Sequence, residues 1–152
     1  MKKTVLIVVM ILLFSIITFT SHSAEVPLGQ AIERPSPHNH ISEEDIIVYD
    51  NKVVIQIPGV SWTSYENTNS MDPILDEEAN GLEIVPNSPE NIYIGDIVAY
   101  ESPEGLIVHR VIEKGQDEQG YYFILKGDNN SVQDPEKIRF EQIKFLLVGI
   151  LY

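Results

Sequence analysis

Cysteine is missing from all 152 residues of the chain. Its absence removes disulfides, thiolate nucleophiles and cysteine-ligated zinc or iron–sulfur sites together, while saying nothing firm about compartment. Basic residues are scarce as well: 10 Lys and Arg stand against 23 Asp and Glu, a net charge of -13. No basic stripe is available to displace counterions from phosphates, which argues against nucleic acid as a partner. The same deficit argues against electrostatic docking on anionic lipid, so any membrane attachment has to be hydrophobic. Helical periodicity is weak beyond the first segment, and no internal repeat is visible. What remains is an ordinary apolar content of 43% in a chain long enough for one domain with a real core.

The one long hydrophobic run comes first. Lys2 and Lys3 precede residues 5–19, which are apolar except for Ser15 and Thr18. With its Thr flanks the run would measure roughly 25 Å as a helix, the short limit for spanning hydrocarbon and slightly long for a signal-peptide core. The two lysines place the N-terminus in the cytoplasm and everything after Ser21 outside. Small residues at Ser21, Ser23 and Ala24 offer a cleavage point, so residues 1–24 read either as a retained anchor or as a removed signal. Residues 25–45 read as a linker, broken by Pro27, Gly29, Pro35 and Pro37. His38 and His40 in that stretch read as solvated histidines rather than as a metal site.

From residue 46 the pattern turns to short β-runs. Residues 46–49 and 52–57, with Asp50-Asn51 between them, predict a hairpin. Further strands are expected at 61–66, 82–85, 96–100, 106–113, 121–126 and 145–151, and 115–120 is expected to be a hairpin loop. One or two helical turns are expected over 73–79, with Pro73 suited to a helix start. The expectation is a mostly β domain over 46–152.

Three segments carry chemistry. Ser70 is followed by Met71-Asp72-Pro73, a composition that turns the chain sharply and can present a hydroxyl beside backbone N–H groups. It can equally be an ordinary turn. His109 lies among Leu106-Ile107-Val108 and Val111-Ile112; alternation puts Ile107, His109 and Val111 on one face and Val108, Arg110 and Ile112 on the other. It reads as a packed core histidine or, facing a cleft, as a general base. The turn-rich stretch Gly127-Asp128-Asn129-Asn130, followed by Asp134, is either a structural Asx loop or the source of a carboxylate that orients His109. A calcium loop built on Asp128, Asn130 and Asp134 fails for want of the central Gly and distal Glu.

Ser-Met-x-Pro at 70–73, Gly-Asp-Ile-Val at 95–98, Ile-Val-His-Arg-Val at 107–111 and Lys-Gly-Asp-Asn-Asn at 126–130 occur in an order that resembles type I signal peptidases of the archaeal and endoplasmic-reticulum kind. These belong to the wider serine protease group that includes self-cleaving LexA-like repressors. The resemblance runs from Ser61 to the C-terminus. It implies a signal-peptidase-like β-fold catalytic domain behind a single N-terminal transmembrane helix, with the catalytic domain outside the cell membrane. It further implies Ser70 as nucleophile, His109 as general base, Asp134 as the triad carboxylate and Asp128 as a supporting aspartate. The backbone N–H of Ser70, joined by Thr68, would form the oxyanion hole. No cofactor is implied. The expected partners are signal peptides of exported preproteins, the lipid bilayer and accessory membrane subunits. One departure stands beside the nucleophile: Asn69 occupies a position where many relatives carry Gly. The rival expectations are a protease of the same group with another target, its own linker or a propeptide, and a non-catalytic exported β-domain acting as a binding module.

Overall fold

In a computed structural model, residues 33–152 are described, and the anchor or signal segment expected over 1–24 lies outside them. Among the described residues no helix is long and apolar enough to cross a membrane, and no α-helix occurs. The stretch Arg34–Tyr152 forms one compact unit.

Its framework is antiparallel. A small sheet pairs β1 (Ile46–Val48) with β2 (Val53–Ile55), the expected hairpin. The main sheet has seven strands in the order β3-β4-β9-β5-β6-β7-β8. These are β3 (Ser61–Ser64), β4 (Asn80–Ile84), β5 (Ile97–Ser102), β6 (Gly105–Asp117), β7 (Gly120–Lys126), β8 (Ile138–Arg139) and β9 (Ile143–Leu151). Each predicted strand is present, and β8 adds a short edge pairing with Tyr122 and Phe123. The turn expected over 115–120 is tighter, because Asp117 already pairs with Gly120. Over 73–79 the chain makes two separate turns and no helix: Ile74 and Leu75 both donate to the Met71 carbonyl, and the Ala79 N–H donates to the Asp76 carbonyl.

Strand alternation sorts the apolar residues between two faces. Val98, Tyr100, Val111, Phe123, Leu125 and Leu146 meet on one. On the other, Ile97 and Leu147 pack against Met71, Leu75 and Ala79 from the irregular segment between β3 and β4. Burying side chains of this size stabilises by about 1.5–3 kcal/mol each. Met71 and Leu75 therefore pin the chain immediately after Ser70 to the sheet. The expected alternation along β6 holds through Val111, and a bulge at Ile112 then resets the register between Val111 and Glu113.

Within the stretch expected as a linker, residues 34–40 lie against the β domain. Gly95 marks the contact: its φ of +103° suits a residue without a side chain, and a Cβ there would sit 2.0 Å from the Ser36 carbonyl oxygen. His40 is not solvated as expected, since its Nε2 lies 2.9 Å from Oδ2 of the fully buried Asp96. His38 stacks on Tyr93 at 4.0 Å between ring centroids, and its N–H donates to Asp96 Oδ1 at 2.8 Å. Buried charge is tolerated when its lone pairs are satisfied, and Asp96 accepts a third bond from the Tyr93 N–H at 2.9 Å.

Candidate active site

β6 delivers His109 beside Val98 of β5, where the ring is nearly buried. Asp134 reaches it from the loop between β7 and β8, with Oδ2 at 2.8 Å and Oδ1 at 2.9 Å from His109 Nδ1. A carboxylate only accepts, so Nδ1 is the donor and the lone pair of the neutral ring resides on Nε2. Two further contacts hold Asp134, one through its backbone and one through its carboxylate. The Asp134 N–H donates to the Leu125 carbonyl at 2.8 Å, and the Tyr100 hydroxyl donates to Oδ2 at 2.8 Å. Burial, and then the bond to Asp134, push the Tyr100 hydroxyl well above the ordinary tyrosine range, so it stays a donor across neutral pH.

Ser70 is positioned from two sides. Behind it, Met71 and Leu75 are buried. Beside it, the loop after β7 grips the backbone: the Asn129 N–H donates to the Ser70 carbonyl at 2.9 Å and Asn129 Nδ2 donates to the Asn69 carbonyl at 2.9 Å. Gly127 permits this approach, because a Cβ there would lie 2.6 Å from the Ser70 carbonyl oxygen. Asn69 has a φ of +58°, the left-handed region that Gly and Asn enter most readily. The departure from Gly noted in the sequence therefore keeps the backbone geometry that Gly would serve.

Asp128 does not touch His109. Its carboxylate takes a two-pronged bond from Arg110, Nε to Oδ1 at 2.8 Å and Nη2 to Oδ2 at 2.6 Å, and Arg110 Nη1 continues to the Gly95 carbonyl at 2.7 Å. Arg34 completes the frame from the N-terminal stretch, with Nη2 donating to the Asp128 carbonyl at 2.7 Å. Asp128 thus fixes the loop that carries both Asn129 and Asp134. Of these groups, sequence reasoning missed Tyr100, Arg110, Arg34 and Asp96. Arg110 and Asp96 stood inside the quoted motifs, and only their partners were invisible.

Ser70, Thr68, His109 and Asn130 open on one cleft of about 650 Å³, together with Tyr65, Glu83 and Ile107. The Ser70 hydroxyl bonds Thr68 Oγ1 at 3.1 Å, and the Ser70 N–H points to the same oxygen at 3.4 Å. Among the described residues no hydrogen bond joins Ser70 to His109. The arrangement therefore assembles a histidine–carboxylate pair and a serine on the same cleft, with the Ser70 hydroxyl engaged by Thr68 rather than by the imidazole.

No protein-family model matches the chain, and no solved structure matches it. Two curated proteins do. An uncharacterised protein of Methanocaldococcus jannaschii is 48% identical over 44 residues, covering 29% of this chain and 22% of that protein. The signal peptidase complex catalytic subunit of Schizosaccharomyces pombe is 35% identical over 75 residues, covering 45% of this chain and 39% of the yeast subunit. The chain thus spans well under half the length of the curated relatives it matches, and over that part it is similar to a signal peptidase catalytic subunit.

Proposed function

We propose that the protein is a serine endopeptidase of the signal peptidase type, acting on exported preproteins at the outer face of a membrane. The observation that carries the reading is the shared cleft: Ser70 and His109 both open on it, and Asp134 holds His109 Nδ1 from behind. His109 Nε2 takes the Ser70 proton as Oγ attacks the scissile carbonyl, and returns it to the leaving amine as the peptide bond breaks. Water then gives a proton to Nε2 as it attacks the acyl carbonyl, and Nε2 returns that proton to Ser70 Oγ as the acyl–Oγ bond breaks. The Ser70 N–H and the Thr68 hydroxyl, the latter released from Ser70 Oγ when that side chain rotates toward His109, receive the oxyanion. An extended substrate can lie beside strand edges that line the cleft. The partial similarity to a signal peptidase catalytic subunit supports signal peptides as the substrate.

Full-length protein reconstituted in lipid and given a labelled preprotein tests this, with Ser70→Ala as the control. Site-specific cleavage that the substitution lowers by about 10⁴–10⁶-fold is the expected result, since triad members act as a unit. A variant keeping a tenth of the turnover removes Ser70 from the mechanism. The Thr68 bond to Ser70 in place of one from His109 favours a second reading, a binding module that retains the fold. That reading predicts peptide binding with no cleavage, even by the wild-type chain.

A further inference from the structure

The cleft holds one buried group that peptide hydrolysis does not use. Glu83 comes from β4, is 5% exposed, and lines the same cavity as Ser70 and His109. The one hydrogen bond to its carboxylate among the described residues is a long one, from the Tyr65 hydroxyl to Oε1 at 3.3 Å. Among the described residues no arginine or lysine forms an ion pair or hydrogen bond with its carboxylate, although buried carboxylates ordinarily have a cation or several donors. The contrast with Asp128 is instructive: that carboxylate, equally buried, is forked by Arg110 and capped by Arg34. Burial raises the Glu83 carboxyl above the ordinary glutamate range, and the Tyr65 bond only partly opposes it.

The surroundings say what would satisfy it. Among the described residues the cleft lining has a second carboxylate, Glu66, and no lysine or arginine. Its aromatic walls are Trp62, Tyr65 and Phe145, and Trp62 is 65% exposed. Carboxylates and aromatic rings lining one cleft form an environment that attracts an ammonium or guanidinium group and repels an anion. The net charge of -13 extends the same preference over the molecule.

From this we infer that Glu83 is a specificity residue, and that the cleft selects peptides placing a lysine or arginine side chain against it. The inference rests on the cleft being the peptide site proposed above. A bound cation supplies the partner that the protein withholds. A charge-assisted hydrogen bond is worth about 1.5–3 kcal/mol, which corresponds to roughly tenfold to a hundredfold in affinity or kcat/KM.

The test uses the full-length protein and a neutral parent peptide carrying lysine, or norleucine of matching length, at each position in turn. Binding to the Ser70→Ala protein is measured by calorimetry, and cleavage by the wild type by mass spectrometry. At one position lysine is expected to exceed norleucine by at least tenfold, and Glu83→Gln is expected to bring that ratio near one. Equal binding of both peptides at every position, or a lysine preference that survives Glu83→Gln, overturns the inference. Cleavage without such a preference sinks the inference and leaves the peptidase standing. Binding with the preference but without cleavage does the reverse. If Glu83→Gln does not fold, the carboxyl ¹³C signal of Glu83 in labelled protein decides: it moves with the lysine peptide and not with its norleucine twin, or the inference fails.

Discussion

Asp134 sets which nitrogen of His109 can act as a base. Its carboxylate accepts from Nδ1 through both oxygens and leaves the lone pair of the neutral ring on Nε2. An amide at this position can offer its own N–H₂ to Nδ1 and stabilise the opposite tautomer. Asp134→Asn is therefore expected to lower kcat by about 10⁴-fold, as the equivalent change does in the chymotrypsin-type triad, with little change in melting temperature. A kcat within tenfold of wild type would detach Asp134 from the reaction. Asn69 presents a backbone case. At φ +58° a β-branched side chain clashes with its own carbonyl, so Asn69→Val is expected to destabilise by about 1–2 kcal/mol in denaturant unfolding, whereas Asn69→Gly keeps the conformation. Equal loss from both substitutions would mean that the Asn69 side chain, rather than its backbone, is what matters there.

At the scale of elements, the loop between β7 and β8 couples the two halves of the site. Asn129 holds the Ser70 backbone, Asp134 holds His109, and Arg110 and Arg34 hold Asp128 between them. Gly127 is the point of closest approach, so Gly127→Ala must push the Ser70 carbonyl away or lift the loop. A displacement near 1 Å costs about 10²-fold in rate, and that loss is expected in kcat with the sheet intact by circular dichroism. Unchanged kcat would show the loop to be a bystander. The sequence makes this loop legible as a turn, and its strands legible through alternation of residues such as Val98 and Val111. It hides the partners. Arg34 lies in a Pro-broken stretch with no apolar period, and docks through polar bonds to carbonyls that composition cannot display. Glu83 sits between Leu82 and Ile84, where alternation makes the charged residue the outward one; it is buried instead, with the Tyr65 hydroxyl against its carboxylate. The two-residue β8 is too short to carry any period.

For the whole molecule, net charge and the buried acids act in the same direction. An unfolded glutamate releases its proton near 4.5, while folded Glu83 keeps it to higher pH because burial penalises the anion. Through that window the folded state binds more protons, so stability falls as pH rises. Tyr65 and Tyr100 repeat the pattern from pH 10.0 upward, where the unfolded phenols ionise and the buried ones do not. Asp117 works in the opposite sense, since Arg139 lowers its carboxyl, but its contribution is lost only as pH falls below about 3.8 and so lies outside both windows. The surplus of acidic residues adds mutual repulsion that grows with pH and is screened by salt. Melting temperature is accordingly expected to decline as pH rises above 4.5 and again above 10.0, with salt recovering part of the first loss. Glu83→Gln should flatten the first decline in high salt, and Tyr100→Phe should soften the second. A wild-type melting temperature that climbs from pH 5 to 8 in high salt would mean that Glu83 is ionised at no cost in the folded protein, and that a cation already accompanies it.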